Sequence, residues 1–363
     1  MSATVRLPRE LHPVAWWIWA VGIAAAASFT TNPFALLLMV AAVAWVVAAR
    51  RGDHPWARSF RIYLWFGLAV VALRVVFRVL LSGGMGTVVW FELPAVPLPD
   101  WVAGVTLLGP VTRESVLAGL YEGMRLATII ICVGAANSLA NPKRLLKSVP
   151  PALYEVGTAI VVAVTVVPQL ADSVRRVRRA RSLRGSDRGR VRGLRRIVVP
   201  VLEDALSRSL RLAAGMDTRG YGRAGQASPA QRRLTGTLML GGLVGLCVGV
   251  YAVLDQTAPR YLAMPMVVLG SVVALAGFVS AGRRVRRTRY RPDRWRPAEL
   301  AVAACGVALA TAMVWLARNE PMVAYPDLLG TPVVSALMLA AILLAAVPGV
   351  LAPPAPTGAV KPA

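Results

Sequence analysis

The residues best suited to chemistry are two arginines, each of which continues the apolar stripe of a predicted helix and stands shortly before a glycine. The first helix covers about 169–183 and the second about 193–218, and in each the apolar residues recur on one face. The stripes are Leu170, Val174 and Val177 before Arg181, and Val201, Ala205, Leu212 and Met216 before Arg219.

These two arginines are expected to bind another protein. An arginine buried on a packing face without partners is costly, whereas a polar groove on a partner would accept it. Its guanidinium offers five donors in a fixed fork, which suits carboxylates and carbonyls at an interface. Two similar helix ends suit a partner with two similar grooves, such as a dimer.

Two simpler interpretations of this arginine-rich segment stay open. Basic loops set the topology of membrane proteins and contact anionic lipid. Nucleic-acid binding is disfavoured, because the segment lacks interleaved aromatic residues and any recognised nucleic-acid-binding fold. The repeated stripe–arginine–glycine ending favours protein docking, with membrane lipid as a further contact and no nucleic-acid partner.

Composition excludes an ordinary water-soluble enzyme. Of 363 residues, 56% are hydrophobic and 16% charged, mean hydropathy is +0.59, and the formal charge is +24. An average soluble chain has roughly 45–50% apolar and 25% charged residues. The fold class predicted is therefore all-α, a polytopic integral membrane protein of about eight spans with basic aqueous loops. The spans are placed at 14–31, 33–50, 62–81, 115–138, 234–254, 262–280, 298–317 and 333–351.

Charge predicts the orientation of these spans. Arginine and lysine gather in alternate loops, which places the long segment between the fourth and fifth spans, and both termini, in the cytoplasm. The apolar run 152–167 is short for a span and either crosses the membrane or lies in its plane.

No catalytic, cofactor or metal site is predicted. The chain lacks a phosphate-binding loop and a nucleophile elbow, and its three cysteines have no metal-ligand spacing. In the fourth span, the spacing favours an intrahelical Glu122–Arg125 pair, and Arg74 and Arg78 on the third span are placed to face it. A membrane-embedded lipid-linked transferase and a stand-alone secondary carrier remain the alternative functions, although neither clustered interfacial acids nor internal repeats are found.

Three short segments resemble the transmembrane (T) component of energy-coupling factor (ECF) transporters, the EcfT/CbiQ family. They are the hairpin turn 28–33 (SFTTNP), the segment 180–182 (ARS) and the segment 218–222 (TRGYG). The resemblance covers about residues 10–255. It implies a non-catalytic subunit in a bacterial plasma membrane that couples two ATP-binding-cassette ATPases to a substrate-binding (S) subunit for uptake of a vitamin or transition-metal ion, with ATP bound only by the partners.

The resemblance also assigns the docking residues and the domains. Arg181 would engage one ATPase and Arg219 the other, with Ala180, Ser182, Thr218 and Gly220 as small flanking residues on two cytoplasmic coupling helices. The predicted domains are a membrane domain at 1–138, a coupling-helix domain at 139–223, a second membrane domain at 224–351 and a disordered tail at 352–363. The part at 262–351 extends beyond the usual length of the family.

Overall fold

A computed structural model describes residues 9–52, 59–81, 86–94, 96–97, 106–183, 190–220, 228–255, 259–284 and 293–355. The chain divides into two compact units. Unit 1 comprises residues 1–145 and 293–363, and unit 2 comprises residues 146–292. The boundaries 1–138, 139–223 and 224–351 drawn from the sequence remain a prediction.

The described chain is almost entirely helical. Unit 1 begins with α1 (Pro13–Ser28), α2 (Pro33–Arg50), α3 (Phe60–Leu80), α4 (Arg113–Leu139) and the start of α5 (Pro142–Lys147). Unit 2 contains a 3₁₀ turn (Pro151–Leu153), α6 (Tyr154–Ser182), α7 (Arg190–Asp217), α8 (Pro229–Leu254) and α9 (Arg260–Arg284). Unit 1 resumes with α10 (Pro297–Asn319), α11 (Pro321–Ala324), α12 (Ala336–Ala346) and α13 (Pro348–Leu351).

Two small antiparallel sheets lie between α3 and α4. Strand β1 (Val89–Glu92) pairs with β4 (Pro110–Thr112), and β2 (Val96–Pro97) pairs with β3 (Thr106–Leu107). Each sheet has two short strands, so they are additions to an all-α fold rather than a second architecture.

The all-α membrane character predicted from composition is confirmed. Within the described ranges, seven helices are long and apolar enough to cross a membrane, and α1 and the α12–α13 segment are shorter apolar helices. The uncertain run 152–167 begins in the 3₁₀ turn and continues into α6, one continuous helix that also carries the arginine-rich segment after it and is one of these seven. The hydropathy of this helix changes midway, which hid its length from a search for uniform apolar runs.

The hairpin formed by α1 and α2 has strong start signals. Pro13 and Pro33 occupy first helical positions, where the missing N–H is not needed. The side chain of Asn32 caps α2, because its Oδ1 accepts from the backbone N–H groups of Phe34 at 3.1 Å and Ala35 at 3.4 Å. The turn is thereby fixed locally, as the sequence predicted.

The core of unit 1 joins the two ends of the chain. Its largest fully buried side chains come from α1, α2, α10 and α12, and include Trp19, Ile23, Leu36, Met39, Leu309, Met313, Leu316 and Met338. The indole Nε1 of Trp19 donates to the carbonyl oxygen of Ala345 at 2.9 Å. The C-terminal extension therefore contributes a third of the buried residues described in this core, mainly through α10 and α12. In the predicted tail, Ala352 is buried and the N–H of Arg9 donates to the carbonyl of Pro354, whereas 356–363 lie outside the described residues.

Glycines bring α3 and α4 into close contact. A Cβ on Gly119 would lie 2.8 Å from Cγ of Arg78, and one on Gly123 would lie 3.0 Å from Cα of Val71. Small residues four apart let helix backbones approach in this way. The approach places Glu122 against α3, where it pairs with Arg78 at 3.2 Å and with Arg74 at 3.6 Å.

The predicted intrahelical pair of Glu122 with Arg125 is therefore wrong, because the interhelical partners take the carboxylate. The suggestion that both arginines of α3 face Glu122 is correct.

Candidate functional site

The predicted docking residues lie on helices α6 and α7 and in the turn at 218–220 that follows α7. The two helices are 29 and 28 residues long, pack against each other within unit 2, and contain Pro168 and Pro200. The segment 169–183 of α6 holds five arginines and one aspartate. Helix α6 is thus apolar at its start and strongly basic towards its end.

The stripe on α6 lies on the less exposed face of the helix. Leu170, Val174 and Val177 are half-buried, and Ser173 between them is buried at 3% exposure. Neighbouring residues such as Arg175 and Arg178 are exposed. The spacing therefore identified the face that packs inside unit 2.

The stripe on α7 is less uniform than the sequence suggested. Val201 is buried, and Ala205 and Met216 are half-buried, but Leu212 is 42% exposed. A second apolar row is more exposed than the stripe itself and consists of Leu202, Leu206 and Leu210, at 60–62% exposure. Because α7 has apolar residues on two faces, one face remains open.

A polar cluster around Asp204 joins the two helices. Ser173 Oγ on α6 donates to Oδ2 of Asp204 at 2.7 Å, and Arg176 donates to the same oxygen at 3.1 Å. Within α7, Nε of Arg208 donates to Oδ1 at 3.0 Å. Both carboxylate oxygens are therefore bonded, and two of the three donors come from the other helix.

This environment stabilises the charged form of the aspartate. The hydrogen bonds from Ser173 and Arg208 lower the pKa of Asp204 most, and the nearby positive charges of Arg208 and Arg176 lower it further, against the opposing effect of burial. The cluster was not predicted, because Asp204 and Ser173 are 31 residues apart. The i,i+4 spacing of Asp204 and Arg208 was the one local signal that pointed to it.

The two predicted motifs both lie at the C-terminal ends of their helices. Arg181 is the penultimate residue of α6, whereas Arg219 follows the last residue of α7 by two. In each motif a hydroxyl bonds back by three residues: Ser182 Oγ, which follows its arginine, donates to the carbonyl of Arg179 at 2.8 Å, and Thr218 Oγ1, which precedes its arginine, donates to that of Gly215 at 3.1 Å. The two ends are therefore similar in composition and differ in register.

The end of α7 turns at a glycine. Gly220 has φ +74°, in the left-handed region that favours glycine, and its N–H donates to the carbonyl of Asp217 at 2.9 Å. Ala180, Ser182, Arg219 and Gly220 are exposed. Among the described residues no hydrogen bond or ion pair holds the side chain of Arg219, so its guanidinium is available to a partner.

The described residues contain no group of three or more His, Cys, Asp or Glu side chains that could hold a metal ion. The exposed ends of α6 and α7 have instead the character of a binding surface. Together with the apolar helices, they define a multi-pass α-helical membrane protein that presents two long, arginine-tipped helices.

Comparison with known proteins identifies the family. The family model of the cobalt transport protein CbiQ matches residues 4–229, more than half of the chain. The chain therefore belongs to the CbiQ family. It is 28% identical over 192 residues to the energy-coupling factor transporter transmembrane protein EcfT of Leuconostoc gelidum subsp. gasicomitatum, which covers 46% of this chain and 71% of that protein. It is also 28% identical over 181 residues to the EcfT protein of Thermotoga maritima, which covers 44% of this chain and 66% of that protein.

Proposed function

We propose that this chain is the T component of an ECF-type importer. It binds two ATP-binding-cassette ATPases through α6 and α7 and passes their nucleotide-driven motion to an S subunit that binds the substrate, a vitamin or transition-metal ion. The chain itself binds no ATP or other cofactor and catalyses no reaction. It lies in the plasma membrane of a bacterium with the arginine-rich end of α6, α7 and both termini on the cytoplasmic side.

The observation that supports this proposal is the similarity of the two helix ends. Each carries a small–Arg–small segment with a hydroxyl bonded back by three residues, and the described flanking residues are exposed. A dimeric or pseudo-dimeric ATPase has two equivalent surfaces, so two similar helix ends suit its symmetry. The Asp204 cluster supports the same function, because it holds the helices as a pair that moves together.

Family membership favours this function over a lipid-linked transferase or a secondary carrier. The open apolar row of α7 (Leu202, Leu206 and Leu210) adds a surface that a third subunit can cover. We assign it to the S subunit, because a membrane-embedded partner has apolar surface to match it.

The experiment is purification of the full chain from its host in mild detergent, with identification of the bound proteins. We expect two ATPases with phosphate-binding loops and one small membrane protein in stoichiometric amounts. ATP hydrolysis should be found in this complex and be absent from the chain purified alone. Hydrolysis by the chain alone, or a stoichiometric complex without ATPases, would refute the proposal.

The orientation is tested separately. Leu183 is 88% exposed just beyond α6, so a cysteine at this position is accessible to a reagent on its own side of the membrane. In a chain without Cys132, Cys247 and Cys305, Leu183→Cys should react with a membrane-impermeant maleimide in inverted vesicles but not in intact cells. Reaction in intact cells would place α6 outside the cell.

A further inference from the structure

Helices α3 and α4 of unit 1 carry a charged cluster on a surface that is otherwise apolar and open. Arg74 and Arg78 of α3 lie on either side of the carboxylate of Glu122 on α4, and the three side chains are between 34% and 46% exposed. Only 6% of the membrane-spanning part of α3 is buried within the protein. The apolar side chains around its two arginines are exposed, namely Leu73, Val76, Phe77 and Leu80. Charges on a helix that faces lipid are rare and need a partner.

The cluster has more positive charge than its own residues neutralise. Oε1 of Glu122 accepts from Nη2 of Arg78 at 3.2 Å, whereas Oε2 lies 3.6 Å from Nη1 of Arg74, beyond hydrogen-bond distance. Each guanidinium offers five donors, and within the described ranges the two groups make this one side-chain hydrogen bond. Two positive charges thus share one negative charge, and most of their donors are free for another anion.

Arg125 adds a third positive charge nearby. It is half-buried, three residues after Glu122 on the same side of α4. In the part of the chain that the structure describes, no hydrogen bond or ion pair holds its side chain. The surface formed by α3 and α4 therefore attracts an anion.

The depth of the cluster matches the headgroup region of a bilayer. Helix α3 has 21 residues, a length of about 31 Å, which just crosses a hydrocarbon core of about 30 Å. Arg78 lies two residues before the end of this helix and Arg74 six, so their Cα atoms are about 3 Å and about 9 Å below the membrane surface. From this depth an arginine side chain extends to the headgroups.

The strands that follow α3 mark the same membrane surface. The N–H of Leu108 donates to the carbonyl of Leu80 at 2.7 Å, which holds the segment before β4 against the end of α3. Strand β1, the partner of β4, exposes Trp90 and Phe91. Tryptophan is enriched where a membrane meets water. Helix length and the exposed aromatic residues therefore agree in placing the two arginines beside lipid headgroups.

We propose that Arg74 and Arg78 bind the phosphate group of an anionic phospholipid, with Glu122 orienting the two guanidinium groups. Arginine binds phosphate through paired N–H donors, and one phosphodiester supplies the negative charge that the cluster lacks. An acidic side chain of a membrane protein would supply the same charge, but that protein would have to carry a carboxylate into the bilayer, whereas lipid phosphate is already at this depth. The site is built from unit 1 alone and does not depend on the proposed function.

The experiment locates the lipid on the full chain. The chain is reconstituted in phosphatidylcholine vesicles that contain a minor fraction of photoactivatable phosphatidylglycerol, and after irradiation the labelled peptides are quantified. We expect label on α3 and α4, and a fall of about tenfold there in Arg74→Gln/Arg78→Gln/Glu122→Gln, because each arginine near a headgroup contributes about fivefold to binding. The matched control is Arg61→Gln/Arg318→Gln, which removes two exposed arginines of unit 1 and should leave this label unchanged.

Glu122→Gln alone separates a phosphate site from a purely structural ion cluster. Without the competing carboxylate, both guanidinium groups are free for phosphate, so label on α3 and α4 should rise about fivefold. A cluster that serves only stability would instead lose unfolding temperature and gain no lipid. Should the triple variant fail to fold, Arg74→Gln and Glu122→Gln still test the site, with opposite expected changes in label.

Four results would overturn the site. They are equal label in the wild type and the triple variant, equal label from photoactivatable phosphatidylcholine, a fall in label in Glu122→Gln, and crosslinks from Arg74 and Arg78 to a co-purified membrane protein in place of lipid.

Discussion

Ser173 Oγ on α6 lies 2.7 Å from Oδ2 of Asp204 on α7, and this contact helps to set the register of the two helices. Arg176 reaches the same oxygen from α6, and Arg208 bonds the other oxygen from α7. Because the carboxylate collects donors from both helices, it determines how far apart the two arginine-tipped ends are held. If the proposed function holds, the spacing of those ends matches the spacing of the two ATPase grooves.

We predict that Asp204→Asn loosens the helix pair. An amide keeps the shape of the side chain but loses the charge that attracts two guanidinium groups. Spin labels at the exposed positions 178 and 211 should show a broader distance distribution in Asp204→Asn than in the parent chain. Glu203→Gln, an exposed neutralisation one residue away, should leave the distribution unchanged. An unchanged distribution in Asp204→Asn would contradict the role of the cluster.

The lowered pKa of Asp204 predicts how the distance between these labels depends on pH. The pKa of Asp204 is lowered in the folded chain, so its contribution is complete above the ordinary aspartate pKa of about 3.9 and is lost as pH falls through the lower folded value. The interhelical distance should therefore stay constant from neutral pH down to about pH 4. Broadening that begins near pH 6 would implicate another group.

The helices were largely predictable from the sequence, because long apolar runs and proline-initiated helix starts are local signals. The hairpin of α1 and α2 shows this, with Asn32 and Pro33 at the predicted turn. The Asp204 cluster was not predictable, because its partner on α6 is distant in sequence. The same reason explains Glu122, for which local spacing suggested Arg125 and the fold supplied Arg74 and Arg78.

The packing of the C-terminal extension against the rest of unit 1 was also not predictable from the sequence. Hydropathy identified its helices but carried no information on which helices they contact. The structure packs α10 on α1 at Gly306, where a Cβ would lie 2.5 Å from Cα of Trp19. This close contact depends on the absence of a side chain at Gly306 and at Gly22, which faces it on α1. A single glycine leaves no periodic pattern in the sequence.

We predict that Gly306→Ala destabilises the chain. The added methyl group has no space against the backbone of α1, and overpacking of this type costs about 1–3 kcal/mol. Thermal unfolding of the purified chain in detergent measures the effect. The control is Gly241→Ala in α8, where a Cβ would meet nothing within 4 Å. A Gly306→Ala chain as stable as wild type would show that α1 and α10 are not in tight contact.

Asn32 offers a second test of the link between the hairpin and the extension. Its Nδ2 donates to the carbonyls of Val323 at 3.0 Å and Val333 at 2.8 Å, in addition to its capping bonds. We expect Asn32→Ala to lose at least about 2 kcal/mol of stability, since a cap and two acceptors lose their partner. Asn319→Ala, whose amide bonds only the exposed end of its own helix, should change the unfolding temperature little. Equal effects of the two substitutions would contradict the predicted link.

The most direct test of the account reverses the charge of both helix tips. Arg181→Glu with Arg219→Glu should abolish co-purification of the ATPase pair while the chain still inserts in the membrane and retains its unfolding temperature. The matched control, Arg175→Glu with Arg211→Glu, places two reversals on exposed positions of the same helices and should keep both ATPases bound. Retention of the ATPases by the Arg181/Arg219 variant would contradict the central claim that these two arginines bind the ATPase pair.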